Sequence, residues 1–140
     1  MGDECFLITK HPTNYECTDR DIYMGNSGIG IFLLELGRIT QDNRYTIYAE
    51  KIARWLQSHE PRIGRTLPLP GLYFGESGVG LFYFDLYKMT RDSNYLNLAK
   101  AQSDLVSTIP CTSADLLTGS AGVQNRAYFS AEPRRPRRKF

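Results

Sequence analysis

The sequence predicts an all-α fold built from repeated helical hairpins, and three observations carry that prediction. A glycine cluster is written three times: Gly25-Asn26-Ser27-Gly28-Ile29-Gly30, Gly75-Glu76-Ser77-Gly78-Val79-Gly80 and Gly119-Ser120-Ala121-Gly122-Val123. The first two lie fifty residues apart, and Tyr23/Tyr73, Phe32/Phe82, Leu36/Leu86, Thr40/Thr90, Asp42/Asp92, Tyr45/Tyr95 and Ala49/Ala99 keep the same offset. Each of these two clusters opens an apolar run that a striped amphipathic segment follows. A register kept over so many positions marks one supersecondary unit stacked on its neighbours.

Residues 1–20 mix charges, Pro12, Cys5 and Cys17 without periodicity and read as a lead-in. From Gly28 to Thr40 the run Ile29, Ile31, Phe32, Leu33, Leu34, Leu36 and Ile39 predicts a helix buried all round, with Asn26 and Ser27 as its N-cap and Gly37 as a weak point. After the turn signal Gln41-Asp42-Asn43, apolar residues at Tyr45, Tyr48, Ala49, Ile52, Ala53, Trp55 and Leu56 fall at helical spacing and predict a surface helix. The short connection makes the two an antiparallel hairpin.

Pro61, Pro68 and Pro70 stop helical structure, so residues 59–70 form a crossover. The pattern then restarts, with Val79, Leu81, Phe82, Tyr83, Phe84, Leu86 and Met89 on a second buried helix. Tyr95, Leu98, Ala99, Leu105, Val106 and Ile109 follow on a second surface helix, whose stripe Gln102 interrupts. Pro110 to Ser113 form another crossover, and a third unit begins at Asp115. After Val123 the repeat requires an apolar helix, but the chain gives Gln124, Asn125 and Arg126 and then a run rich in proline and arginine. Residues 124–140 therefore read as a disordered basic tail, the expected product of a shifted frame or a truncated gene. A repeat cannot cover its own apolar faces, so two and a fraction units read as a fragment whose open faces invite self-association.

The net charge of +2 divides unevenly, with +5 on residues 126–140 and −3 on the rest. The body gives no electrostatic reason to bind nucleic acid. Three cysteines without close pairing, an N-terminus without a leader pattern and no long apolar run point to a cytoplasmic chain that does not enter a membrane.

The glycine clusters precede helix starts, as phosphate cradles do, but no strand leads into them and no Lys-Ser/Thr follows, so no cofactor-binding residue is assigned. Gly25, Gly28, Gly30, Gly75, Gly78, Gly80, Gly119 and Gly122 are read as structural, letting crowded helix starts turn sharply. Glu35 and Asp85 hold matching positions on the two buried helices, an arrangement open to paired-acid glycosidase chemistry or to simple polar contacts. Glu76 reads as a first-turn acid favoured by the helix dipole. His11 between Cys5 and Cys17 lacks the tight ligand pairs of a structural zinc site, so no metal ligand is assigned.

The stretches Leu72-Tyr73-Phe74-Gly75-Glu76-Ser77-Gly78-Val79-Gly80-Leu81-Phe82 and Asp115-Leu116-Leu117-Thr118-Gly119-Ser120-Ala121-Gly122-Val123 resemble the repeat signatures of the lanthionine synthetase C-like family. The resemblance covers residues 21–123 and implies an incomplete α,α-toroid, with inner and outer helices alternating around a ring. It also implies the family's activity in lanthipeptide biosynthesis. There a zinc ion held by two cysteines and a histidine activates a peptide thiol, which adds to a dehydrated residue and closes a thioether ring. The Cys-Gly and Cys-His-Gly motifs that supply those ligands in the family do not occur here, and Cys5, Cys17, Cys111, His11 and His59 match none of them. Zinc is thus implied for a full-length member and none for this chain, and peptide modification by this chain alone is not expected. Asp115 matches an acidic position implicated in proton handling, with capping of the third inner helix as the other reading. The alternative function is a non-catalytic helical module that binds a peptide or a small thiol.

Overall fold

The computed structural model describes residues 9–10, 16–17, 19–59, 61 and 68–125. Helix α1 spans Asn26–Thr40, α2 Asn43–Ser58, α3 Glu76–Thr90 and α4 Ser93–Thr108, and a 3-10 helix covers Ser120–Asn125. Helices α1 and α2 form one hairpin and α3 and α4 a second, with α1 lying along α3. The fold is an all-α, incomplete helical repeat. The lead-in holds one antiparallel ladder, β1 Thr9–Lys10 with β2 Glu16–Cys17, too short for alternation to show in sequence. The expectations for Cys5, His11 and the basic stretch after Asn125 lie outside the described residues.

Both hairpins turn alike. Thr40 and Thr90 end the inner helices and donate their hydroxyls to the carbonyls of Leu36 at 2.7 Å and Leu86 at 2.8 Å. Gln41 and Arg91 follow with φ of 55° and 62°, a left-handed conformation that reverses the chain and costs a residue with a Cβ about 1 kcal/mol. Asp42 and Asp92 then cap the outer helices, each accepting at 2.9 Å from the backbone N–H of Arg44 and Asn94 respectively.

The inner helices start differently from the sequence expectation. Asn26 and Ser27 lie inside α1 and are buried, while the cap position belongs to Gly25, which offers no side chain. Carbonyls of the preceding loop cap instead. The Asn26 N–H reaches Asp19 O at 2.8 Å, Glu76 N–H reaches Leu69 O at 2.9 Å, and Ser120 N–H reaches Ser113 O at 2.9 Å. Each bond spans seven positions, so the three loops close in one way. A Cβ on Gly25, Gly75 or Gly119 would stand 2.4, 2.3 or 2.3 Å from those same carbonyls, and this close approach excludes every other residue.

The core gathers Ala49, Ile52, Ala53, Trp55 and Leu56 from α2 and Tyr95 and Ala99 from α4 around Leu34 and the α3 residues Val79, Phe82 and Leu86. The Phe82 ring rests on Gly30, where a Cβ would lie 2.4 Å from it. Expected burial all round α1 is corrected: Phe82 is 0 % exposed, but its repeat equivalent Phe32 is 63 % exposed. The reason is the stacking direction, since among the described residues α3 is the inner helix that flanks α1. Gly37 admits the second hairpin arm, with a would-be Cβ 3.3 Å from Tyr45 Cβ.

Gly75→Ala should lower unfolding stability by about 3 kcal/mol, because its methyl meets a backbone carbonyl that cannot yield. Gly37→Ala should change it by less than about 1 kcal/mol, as gained helix propensity offsets a mild crowding of Tyr45. Urea midpoints of the two variants test the contrast.

Candidate functional site

The three capping loops, residues 19–25, 69–75 and 113–119, lie side by side at the N-terminal ends of the inner helices. Backbone bonds tie them laterally. Tyr23 N–H donates to Tyr73 O at 3.1 Å, while Gly71, Leu72 and Phe74 donate to Thr118 O at 3.1 Å, Leu116 O at 3.2 Å and Leu117 O at 3.0 Å. The third loop sits so close that a Cβ on Gly71 would lie 2.2 Å from Leu117 O. The second glycine of each cluster lets a loop fold back on its own helix. A Cβ on Gly28 would meet Ile22 O at 2.0 Å, one on Gly78 Leu72 O at 2.4 Å and one on Gly122 Leu116 O at 3.0 Å. The last would also stand 2.4 Å from Leu72 N of the neighbouring loop. Gly80 is buried within α3.

With capping done by backbone, loop side chains other than Arg20 are released from capping. Tyr23, Tyr73 and Leu117 hold one repeat position, two residues before the capping glycine, and are 64 %, 37 % and 47 % exposed. The Tyr23 ring leans on Phe74 with centroids 4.6 Å apart, and Met24 and Leu116 of these loops are also exposed. The loops thus present a short apolar and aromatic row on a fixed backbone, a surface suited to gripping an extended chain.

Acids flank the row. Asp21 and Asp115 share the position four before the capping glycine, which the close third loop restricts to Gly71 in the second copy. Both form the same turn: Asp21 accepts from Met24 N–H at 2.8 Å and Asp115 from Thr118 N–H at 2.7 Å. Asp115 accepts further from the hydroxyls of Ser113 and Thr118. These donors, Ser113 first, hold its carboxyl well below the usual range, so it stays anionic at neutral pH. Burial, with Asp19 adding to it, pushes Asp21 up despite the Met24 N–H bond.

Beneath the loops lies a buried polar cluster that sequence reasoning missed. Arg20 grips Glu76 bidentately, Nε to Oε1 at 3.3 Å and Nη2 to Oε2 at 3.2 Å. Its Nη1 donates to the carbonyls of Leu56 and His59 at the end of α2. Gln102 Nε2 donates to Glu76 Oε2, so the residue that breaks the α4 stripe is the one that reaches the buried anion. Glu76 is therefore more than a dipole-favoured first-turn acid. The visible signal was paired exceptions to the repeat: Glu76 where Asn26 stands, and Gln102 where Ile52 stands. Burial, opposed by Arg20 and reinforced by Glu76, lifts the Tyr83 phenol from 10.0 to about 12.

The other sequence candidates engage separate partners. Glu35 pairs with Arg38 at 2.8 Å and Asp85 pairs with Lys88, each one helical turn along its own helix. The Cys111 thiol donates to Ser113 O at 3.0 Å, and the His59 ring stacks on Trp55 with centroids 4.5 Å apart. Among the described residues, no group of three or more His, Cys, Asp and Glu side chains is placed to hold a metal ion, and no helix is long and apolar enough to cross a membrane.

Compared with known families, residues 16–136 match the model described as lanthionine synthetase C-like protein. The match extends beyond 21–123 at both ends. No curated protein matches the chain.

Arg20→Ala should cost about 3 kcal/mol, because it leaves Glu76 buried without its counter-charge; the double variant with Glu76→Gln should recover part of this, and chemical denaturation of the four-member cycle measures it. Alkaline titration tests Tyr83 and Tyr95, both raised by burial from 10.0 to about 12. The unfolded chain loses these protons first, so their stabilisation is complete below pH 10 and should fade as pH rises toward about 12. Tyr83→Phe should remove part of that pH dependence in alkaline melts followed by circular dichroism.

Proposed function

From the premise that the chain belongs to the lanthionine synthetase C-like family, we propose that it supplies opening repeats of a peptide-modifying ring and holds the peptide, without performing thioether chemistry alone. The observation that carries this reading is the row Tyr23, Tyr73 and Leu117, exposed at one repeat position on loops locked by backbone bonds. Aromatic side chains on a rigid frame gain contact area with little ordering cost, and a flanking anion at Asp115 disfavours acidic peptides. The cytoplasm is the proposed compartment.

The described residues do not fit the zinc implied for full-length members. Cys111 is turned onto a carbonyl and His59 onto Trp55, and the sequence carries neither Cys-Gly nor Cys-His-Gly. For Asp115 we favour the tether: three donors fix its carboxylate, and Asp21 makes the same turn at the equivalent position. A carboxylate so held is a poor base at neutral pH.

Fluorescence anisotropy with labelled cysteine-containing peptides tests the reading. Tyr23→Ser with Tyr73→Ser should weaken binding about tenfold with no change in the thermal midpoint beyond a few degrees. Unchanged affinity in the double variant would refute the peptide row. Thioether formation by the 140-residue chain supplied with zinc and a dehydrated peptide would refute the non-catalytic assignment.

A further inference from the structure

Two parts of the chain have opposite chemical character. Residues 133–140 read Pro133-Arg134-Arg135-Pro136-Arg137-Arg138-Lys139-Phe140, five cations and no acid, with the prolines three positions apart. The loops 19–25, 69–75 and 113–119 hold one cation, Arg20, which Glu76 and the carbonyls ending α2 already engage. Asp21 and Asp115 stand two positions before Tyr23 and Leu117, at either end of the exposed row. Their carboxylates bond N–H and hydroxyl donors of their own loops and meet no cation among the described residues. The loop face is aromatic, anionic and short of a counter-charge. We propose that residues 133–140 of the same chain dock on this row and compete there with the peptide it holds. The inference rests on the row being the peptide surface.

Length and charge select this occupant. Backbone bonds join loop to loop across the row, and such bonds set neighbouring chains about 5 Å apart, so the row from Tyr23 through Tyr73 to Leu117 spans about 10 Å. Prolines three positions apart suit the polyproline helix, whose turn of three residues is about 9 Å long. Aromatic surfaces recognise such segments, and the arginines beside the prolines meet carboxylates at the row's two ends. The reach is sufficient too. The 3-10 helix that begins at Ser120, one residue past the third loop, carries the chain only about 10 Å to Asn125. Residues 126–132 can span up to about 24 Å, enough to return across the whole row. So short a link keeps the segment near the loops at a roughly millimolar effective concentration, at which weak docking is populated.

Tryptic cleavage of the 140-residue chain after Arg137 and Arg138, timed by mass spectrometry, tests the docking. Asp21→Asn with Asp115→Asn should speed it about tenfold, since Asn keeps an oxygen for the turn and removes the charge. A second measurement alters only the segment. Replacing Arg134, Arg135, Arg137 and Arg138 by Ser should tighten binding of the labelled cysteine-containing peptides about tenfold, because their competitor is gone. Cleavage indifferent to the Asp variants, or protection that disappears on dilution from ~100 to ~1 μM, would overturn the proposal, the second by placing the segment on another copy. Peptide affinity that Tyr23→Ser with Tyr73→Ser weakens but the Ser-substituted segment leaves unchanged would sink this inference and keep the peptide row. Affinity indifferent to both would sink the two together.

Discussion

A buried carboxylate persists only where donors replace the water it has lost, and Glu76 is such a group. Its partners come from every quarter: Arg20 from the loop before α1, Gln102 from the middle of α4, and, through the guanidinium, the carbonyls that end α2. One anion therefore fixes where the first loop, both outer helices and the second inner helix meet. Ion pairs of this kind contribute little more than apolar residues of the same shape would, but an alternative packing that separated them would strand a charge. The cluster thus defines one arrangement of two hairpins whose apolar stripes alone would tolerate several.

Above that cluster, the helix starts are held by main chain. Side-chain caps would have tied particular residues to particular loops. Carbonyl caps do not, and they require glycine only where the loop folds back on itself. The exposed residues between the closure points, Tyr23, Tyr73 and Leu117, are consequently not needed for closure, which leaves a structural repeat room to vary its surface. Rigidity and chemical freedom reside in the same seven residues.

The hairpin repeat was readable because Thr40/Thr90, Asp42/Asp92 and the glycines perform the same local bonds in both copies, and local bonds leave local patterns. Asn26 and Ser27 misled because polar residues just after a glycine resemble a cap, while the actual acceptors are backbone atoms that no sequence displays. Exposure of Phe32 was equally hidden, since its composition matches Phe82 and only the number of neighbours differs. For the candidate site, the glycine positions were legible and the outward row was not. The Arg20 to Glu76 contact joins residues far apart in sequence, and its trace was the pair of polar exceptions at Glu76 and Gln102.

Gly25 and Gly75 are separated by fifty residues, Gly75 and Gly119 by forty-four. Every closed loop nonetheless starts six residues before its glycine, at Asp19, Leu69 and Ser113. The whole difference falls between the end of an outer helix and the next closure, over residues 59–68 in one case and 109–112 in the other. Between these repeats the change of length is confined to that interval, whereas a single insertion within a closed loop would pull the carbonyl away from the helix it terminates.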